Sequence, residues 1–337
     1  MEHIERRHHM KQNLKNKRIL FIAWKFYDYP ELITKELERK GAKVDYYNAI
    51  PSDSHLKMKI STKVNVLRES YLKQILSNVA KVNYDYLFVI NPVLFPEKFV
   101  MNLTKIVGDI PKTAYLWDSI ATFSQVTSYF DYFDYLYSFD VKDCESYVEL
   151  NFLPLFYIDS GEKKKREQPY LFSFVGFGHS MRYSFVTQVK ELCEQKQYDY
   201  CFKLYLPSIW HFYYYKYGTK TLATAKKNEF IYKQLPQTTV SEIADNSKII
   251  LDLELANQSG LTMRTIETHG MKRKLITTNP EVKKYDFYHP NNICVVDRQK
   301  PSIPQQFIES DYQELNEQLY EKYQLTNWLD QIFSGKG

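Results

Sequence analysis

Residues 17–24 read Lys-Arg-Ile-Leu-Phe-Ile-Ala-Trp, a short apolar run behind two basic residues, and they predict a buried parallel strand. Pro30 stands near the start of a helical stretch that ends at Gly41, and residues 43–47 form a second strand-like segment. Strand, helix, glycine and strand make a βαβ unit, whose right-handed crossover favours a doubly wound parallel sheet. The sequence therefore predicts an α/β fold.

The same alternation continues along the chain and restarts after a charged segment. Further strands are predicted at 86–90, 113–117 and 135–139, with an aromatic helix from about Phe123, and a second series begins at 170–175. We therefore expect a flexible basic leader (1–18), an N-terminal Rossmann-like domain (19–158), a linker (159–168), a C-terminal Rossmann-like domain (169–310) and terminal helices (311–337).

The bulk composition narrows the class of protein. The 337 residues are 44% hydrophobic and 25% charged, as in globular proteins, and no stretch approaches the roughly 18 consecutive apolar residues of a membrane-spanning helix. The N-terminus has no apolar core of a secretory signal, and the four cysteines lack zinc-site spacing, so we expect a cytoplasmic protein.

The net charge of +5 is concentrated in the leader and in residues 163–166. Such clusters are either solvated surface or a peripheral contact with the inner face of the plasma membrane, and we expect no nucleic-acid partner.

The segment that is most informative about function follows the strand predicted at 248–253. A polar, glycine-containing turn leads into a helix, whose unpaired N–H groups and positive dipole end suit a phosphate oxygen. An arginine in the first turn adds a bidentate contact to a diphosphate, and a glutamate three residues further on accepts hydrogen bonds from a ribose diol. The residues are Ser259, Gly260, Leu261, Thr262, Arg264 and Glu267, and together they describe a nucleotide site. The alternative is an ordinary αβ connection with a surface pair between Arg264 and Glu267.

A second strand, glycine turn and helix start contains Gly176, Gly178 and Arg182. We expect the glycines to admit a donor phosphate and Arg182 to bind it, while a plain tight βα turn is the alternative. His179 either touches the phosphate or caps the helix.

Asp118 directly follows the strand predicted at 113–117, at the edge where ligands of parallel sheets bind. It is our candidate general base, and its alternative role is a helix N-cap. The stretch 210–217, Trp-His-Phe-Tyr-Tyr-Tyr-Lys-Tyr, has three interpretations: packing under a loop, a grip on an acceptor glycan, or contact with lipid headgroups.

The order Gly-Leu-Thr-x-Arg-x-x-Glu, followed by a Leu-Ile-Thr strand, resembles the donor-binding element of GT-B glycosyltransferases. The resemblance is greatest to bacterial enzymes of polysaccharide and lipopolysaccharide assembly and to the CgeB-like group. It implies two Rossmann-like domains facing across a cleft, with Glu267 on the donor ribose and Ser259 to Arg264 on the diphosphate. Many retaining members carry a second Glu where this chain has Ser259, so the stereochemistry stays open.

The sequence therefore predicts a glycosyltransferase that uses a nucleotide-diphosphate sugar as donor substrate and a glycan or lipid-linked glycan as acceptor. It predicts no cofactor. It also predicts no essential metal, because no Asp-x-Asp pair stands at a strand end. A sugar-nucleotide epimerase of GT-B fold and a membrane-docked scaffold are the alternatives. A nicotinamide dehydrogenase is disfavoured because the first strand is not followed by Gly-x-Gly-x-x-Gly.

Overall fold

The computed structural model describes residues 14–50, 65–159, 167–179, 181–254 and 258–334. By packing, the chain divides into two compact units. The first contains the described residues of Met1–Leu155, Asn257–Gly260 and Leu325–Gly337, and the second contains those of Phe156–Ala256 and Leu261–Gln324. Most of the predicted basic leader and linker, including residues 163–166, lies outside the described residues.

A parallel sheet forms the centre of the first unit. Its described strands follow the order β2-β1-β3-β4-β5-β6, so β2 lies on one side of β1 and the later strands lie on the other side. The strands are β1 (Arg18–Ala23), β2 (Lys43–Asn48), β3 (Tyr86–Ile90), β4 (Lys112–Leu116), β5 (Tyr135–Ser138) and β6 (Leu150–Phe152). The helices between them are α1 (Tyr29–Arg39), α2 (Asn65–Val79), α3 (Glu97–Val107) and α4 (Val141–Ser146), with a 3-10 helix over Ser124–Tyr132.

A second parallel sheet forms the centre of the second unit. Its described strands follow the order β12-β11-β10-β7-β8-β9, which is the doubly wound order of nucleotide-binding folds. The strands are β7 (Tyr170–Phe177), β8 (Tyr200–Tyr205), β9 (Phe230–Ile231), β10 (Ser247–Asp252), β11 (Lys274–Thr277) and β12 (Ile293–Val295). The helices are α5 (Met181–Lys196), α6 (Ile209–Tyr213), α7 (Gln237–Asp245), α8 (Met263–Gly270), α9 (Gln305–Glu309), α10 (Glu317–Lys322) and α11 (Leu325–Phe333), the last of which packs with the first unit.

The first sheet is buried on both faces, which explains the continuous apolar run of β1. Leu20 and Ile22 belong to the hydrophobic cluster on the face of the sheet that α2 and α3 cover, and Phe21 points to the opposite face. There the Phe21 ring stacks on Phe88 with centroids 5.1 Å apart, and Phe88 contacts Trp328 of α11 at 6.0 Å. The C-terminal helix therefore supplies the apolar cover that a parallel strand needs.

One helix type and one strand boundary differ from the expectation. The aromatic helix expected from about Phe123 is present at Ser124–Tyr132 as a 3-10 helix, in which Val126, Tyr129 and Phe130 are buried. Strand β7 runs through Gly176 instead of ending before it, because Gly176 still pairs with Leu204 of β8. Only Gly178 of the two predicted turn glycines follows the strand.

Candidate functional site

The second sheet reverses its order between β7 and β10, which lie side by side. In open α/β sheets, ligands bind outside the carboxyl ends of the strands at such a switch point. Strand β7 leads into α5, and β10 leads by way of residues 253–262 into α8. The fold therefore brings the starts of these two helices to one sheet edge, as a nucleotide site requires.

The start of α8 is fixed by an acidic residue at the end of β10. Thr262 caps the helix: its hydroxyl oxygen accepts the Thr265 N–H at 3.2 Å and donates to Asp252 Oδ2 at 2.6 Å. Thr265 Oγ1 donates to the same oxygen at 2.7 Å. Leu261 is buried and anchors the chain, and the helix begins at Met263. Asp252 thus holds the positive end of the α8 dipole beside the sheet edge.

The two arginines that the sequence predicts to bind a phosphate, Arg182 and Arg264, lie at this edge. The Arg182 guanidinium donates from Nε and Nη2 to the carbonyl of Leu253, at 3.1 and 2.9 Å. Arg264, in the first turn of α8, lies over the Phe174 ring of β7, with 5.5 Å between its Cζ and the ring centroid. Among the residues that the structure describes, neither arginine forms a salt bridge, and the charge of Asp252 acts on Arg182.

A third arginine, Arg298, belongs to the same edge and is not apparent from the sequence. It follows β12 and donates from Nη1 to the carbonyl of Glu254 at 3.0 Å, while its Nη2 pairs with the Glu254 carboxylate and with Thr278 Oγ1. Thr278 in turn donates to Glu254 Oε2 at 2.7 Å. Glu254, only 6% exposed, is therefore fully engaged.

The three guanidinium groups influence one another. Burial lowers the pKa of Arg182 below its ordinary value; Asp252 counteracts this, and the positive charges of Arg264 and Arg298 lower it further. Burial also lowers the pKa of His179, as does the charge of Arg182 beside it. Arg182 therefore feels the charges of two further arginines and of Asp252 and Glu254, and Glu267 of α8 adds a third carboxylate to this part of the second unit.

Glu267 lies on α8 three residues after Arg264, so the two side chains project from the same side of the helix. It is half-buried, and its backbone carbonyl accepts the N–H of Met271 at 2.8 Å. The assignment of Glu267 to the ribose is based on this three-residue spacing, and it stays a prediction.

The two glycines of the first βα connection have a packing reason. A Cβ on Gly178 would lie 2.7 Å from Phe230 Cε1 and 2.9 Å from Leu204 Cβ, and one on Gly176 would lie 2.9 Å from Phe174 Cζ. Neither position therefore accepts a side chain without rearrangement. This packing does not test the predicted contact of the two glycines with a phosphate, which stays a prediction.

Ser259 and Gly260 pack with the first unit instead of the second. The Ser259 N–H donates to Asp140 Oδ2 at 3.1 Å, and its hydroxyl donates to the other oxygen of the same carboxylate. A Cβ on Gly260 would lie 2.4 Å from Phe139 Cε2. Because Asp140 is 1% exposed and also caps α4, this connection is firmly attached to the end of β5.

Asp118 lies at the carboxyl edge of the first sheet, just beyond β4, and Asn91 holds its carboxylate. Asn91 donates from Nδ2 to Asp118 Oδ2 at 2.7 Å, and its Oδ1 accepts the Trp117 N–H at 2.6 Å. Neighbouring atoms desolvate the carboxyl and raise the pKa of Asp118, while the Asn91 hydrogen bond lowers it. Asp118 does not cap the following 3-10 helix, whose N-cap is Phe123.

The Asn91→Gly variant should raise the pKa of Asp118 further, because it removes a hydrogen bond to the ionised form. Glycine keeps the backbone, whose φ at Asn91 is 50°. Titration of the Asp118 carboxyl carbon by NMR measures the change. Asn16→Gly is the matched control, since Asn16 also has a positive φ of 64° in the same unit. An unchanged Asp118 pKa in Asn91→Gly would contradict the assigned contact.

The described residues contain neither a metal-binding cluster nor a membrane-spanning helix. No group of three or more His, Cys, Asp or Glu side chains in them is placed to hold a metal ion. Within the same ranges, no helix has the length and apolar character needed to cross a bilayer.

Two Rossmann-like parallel sheets followed by C-terminal helices define a GT-B-like α/β fold. The crystal structure of Anabaena Alr3699/HepE in complex with UDP and glucose matches at a TM-score of 0.54 and 10% identity, covering 84% of this chain and 87% of that one. The UDP-GlcNAc 2-epimerase of Methanocaldococcus jannaschii matches at 0.54 and 11%, covering 94% and 98%. The glycotransferase of kitacinnamycin matches at 0.47 and 12%, covering 94% and 96%.

No protein-family model matches the chain, and no curated protein matches it significantly. The resemblance to CgeB-like enzymes therefore depends on the motif alone. At identities this low, the matches to solved structures show the fold of the chain.

Proposed function

We propose that the protein is a glycosyltransferase that transfers a sugar from a nucleoside-diphosphate sugar to a cell-surface polysaccharide or lipopolysaccharide acceptor. The observation that carries the proposal is the convergence of three arginines at the β7/β10 switch point: Arg182 on the Leu253 carbonyl, Arg264 over the Phe174 ring and Arg298 on Glu254. A diphosphate presents anionic oxygens, which guanidinium groups bind in a bidentate manner.

The neighbouring elements suit the remaining parts of such a donor. The positive end of α8 supports the diphosphate, and Glu267 accepts hydrogen bonds from the ribose hydroxyls. Two proteins of similar fold agree with this ligand class: HepE was solved with UDP and glucose, and the Methanocaldococcus protein is named for its action on UDP-GlcNAc.

The proposed general base is Asp118. It takes the proton of the acceptor hydroxyl, whose oxygen forms a bond to the anomeric carbon of the sugar as the bond to the diphosphate breaks. Desolvation raises the pKa of Asp118 and so makes its carboxylate a stronger base. This role belongs to an inverting transfer, and the anomeric configuration of the product, read by NMR, tests it.

Glu267→Ala should weaken the binding of a nucleoside diphosphate roughly 30-fold, the effect of losing hydrogen bonds to a charged acceptor. It should leave the binding of inorganic pyrophosphate unchanged, because pyrophosphate has no ribose. Isothermal titration calorimetry with a panel of nucleoside diphosphates and with pyrophosphate measures both affinities.

Glu281→Ala is the control for this measurement. Glu281 is a glutamate of the second unit that pairs with Lys284 and has no assigned role in nucleotide binding. Equal loss of affinity for nucleoside diphosphate and pyrophosphate in Glu267→Ala would defeat the ribose assignment. Failure of the natural protein to bind any member of the panel would defeat the proposed function.

Sugar-nucleotide epimerisation is the second candidate, favoured by the match to the Methanocaldococcus epimerase over 98% of that chain. The two reactions differ in their need for an acceptor. An epimerase changes the sugar of the donor alone, whereas a transferase releases the nucleoside diphosphate only as the acceptor gains a sugar. Analysis of the products with and without a glycan acceptor distinguishes them.

A further inference from the structure

A second surface of the second unit has the character of a docking site. Helix α6 and the π-helical turn after it, residues 209–218, expose four aromatic side chains that we call the aromatic patch. Their exposed fractions are 76% for Trp210, 40% for Tyr213, 60% for Tyr214 and 68% for Tyr217. Such exposure is unusual for large rings in a globular protein, and contiguous exposed apolar surface marks an interaction site.

The four side chains lie on one side of this element. Trp210 contacts Tyr213 at 6.5 Å between ring centroids, and Tyr213 stacks on Tyr217 at 6.2 Å with the rings 10° from parallel. Tyr214 follows Trp210 by four residues, the spacing that puts side chains on a common helical face. The patch is therefore continuous.

The opposite side of the element is anchored in the core. Phe212 is 3% exposed and packs in the cluster that contains Leu222, Ala225 and Phe230. Lys216 donates to the carbonyl of Ala225 at 2.6 Å and lies over the Phe212 ring. Because these contacts fix the backbone, the aromatic patch is preformed and does not have to fold when it binds.

The segment that carries the patch is positively charged. Residues 200–228 contain no Asp or Glu, whereas they include five lysines. Lys220, Lys226 and Lys227 are exposed. The next acidic residue, Glu229, already accepts hydrogen bonds from the Tyr183 hydroxyl and the Lys226 N–H, at 2.9 and 2.6 Å.

We propose that the aromatic patch and its lysines dock the protein on an anionic lipid surface. Trp and Tyr are the side chains that favour the interface between headgroups and acyl chains, and lysines beside them are attracted to acidic headgroups. The segment carries no carboxylate to read the hydroxyls of a sugar, and its charge complements an anionic surface. The proposal does not depend on the proposed catalytic function.

Co-sedimentation with vesicles tests the docking surface. The natural protein should bind vesicles of phosphatidylcholine mixed with phosphatidylglycerol, bind much less to phosphatidylcholine alone, and lose affinity as salt is added. The variant Lys220→Glu/Lys227→Glu should bind at least about tenfold more weakly, since each lysine near an anionic surface contributes about fivefold. Trp210→Ala/Tyr214→Ala/Tyr217→Ala should lose about tenfold through its apolar contacts.

Matched controls come from the first unit. Lys81→Glu changes an exposed lysine and Tyr27→Ala removes an exposed tyrosine, and both should bind as the natural protein does. Tryptophan fluorescence adds a direct signal: emission should shift to the blue on anionic vesicles, and Trp210→Phe should lose the shift while keeping most of the binding.

Four results would overturn the proposal. The first is no binding to the anionic vesicles, and the second is binding that the patch variants reduce no more than the controls do. The third is a Trp210 signal that responds to an oligosaccharide but not to vesicles, which would make the patch a glycan site. The fourth is a concentration-dependent dimer in sedimentation velocity that Trp210→Ala abolishes, again without vesicle binding.

Discussion

The Trp328→Ala variant should lower the free energy of unfolding of the first unit by roughly 3–5 kcal/mol. Trp328 is 1% exposed, and its ring contacts Tyr115 at 4.8 Å and Phe88 at 6.0 Å between centroids. Alanine removes these aromatic contacts and leaves a cavity that β-strand backbones on one side cannot fill. Because α11 covers one face of the first sheet, the loss should also loosen the attachment of the C-terminal helix.

Differential scanning calorimetry and urea titration measure this effect. Trp210→Ala is the matched control, since it removes the same side chain from a position that is 76% exposed, and it should change stability by less than about 0.5 kcal/mol. Similar stability of Trp328→Ala and the natural protein would mean that α11 does not stabilise the first sheet through this tryptophan.

Regular strands were predictable because their signal is local. Strand β3 over Tyr86–Ile90 has the bounds expected from its apolar run, and strand β11 over Lys274–Thr277 contains the Leu-Ile-Thr segment that follows the motif. Both are central strands flanked by parallel neighbours, so every side chain is covered and the pattern is uninterrupted. The end of β7 was missed because its last pairs depend on β8, which lies elsewhere in the sequence.

The candidate site was only partly predictable for the same reason. Arg182 and Arg264 stand in the first turns of helices that follow strands, which is a pattern that a sequence can display. Arg298 stands in a loop after β12 and meets Glu254, 44 residues away, only because β12, β11 and β10 are neighbours. Asn91 and Asp118 are 27 residues apart, and Asp140 and Ser259 are 119 residues apart. For Asn91 and Arg298, the sequence offered one local signal. Each is a polar residue with no assigned role that stands just beyond a parallel strand.

The Arg182→Met variant should raise the dissociation constants of both a nucleoside diphosphate and pyrophosphate about 100-fold. Arg182 follows β7 at the switch point, and its guanidinium is oriented by the Leu253 carbonyl. Loss of a bidentate contact to a phosphate affects both ligands alike, in contrast to Glu267→Ala, which should affect only the nucleotide. Isothermal titration calorimetry with both ligands gives the comparison directly.

Two further variants complete the experiment. Arg182→Lys retains the charge without the planar fork and should recover only part of the affinity. Arg39→Met, at an exposed arginine of the first unit that pairs with Glu36, should bind both ligands as the natural protein does. Unchanged affinity in Arg182→Met would place the anion site elsewhere.

The stability of Arg182→Met without ligand should stay within about 1 kcal/mol of the natural protein. The variant loses hydrogen bonds to one carbonyl, but it also removes a charge that is disfavoured by burial and by Arg264 and Arg298, as the lowered pKa of Arg182 indicates. In the ligand-free protein, these two effects on the free energy of unfolding oppose each other. In ligand binding they do not, because the variant loses both the charge and the hydrogen bonds that Arg182 would offer to the anion. A large loss of affinity with little loss of stability would therefore show that Arg182 is present at this edge for an anionic ligand and not for the fold.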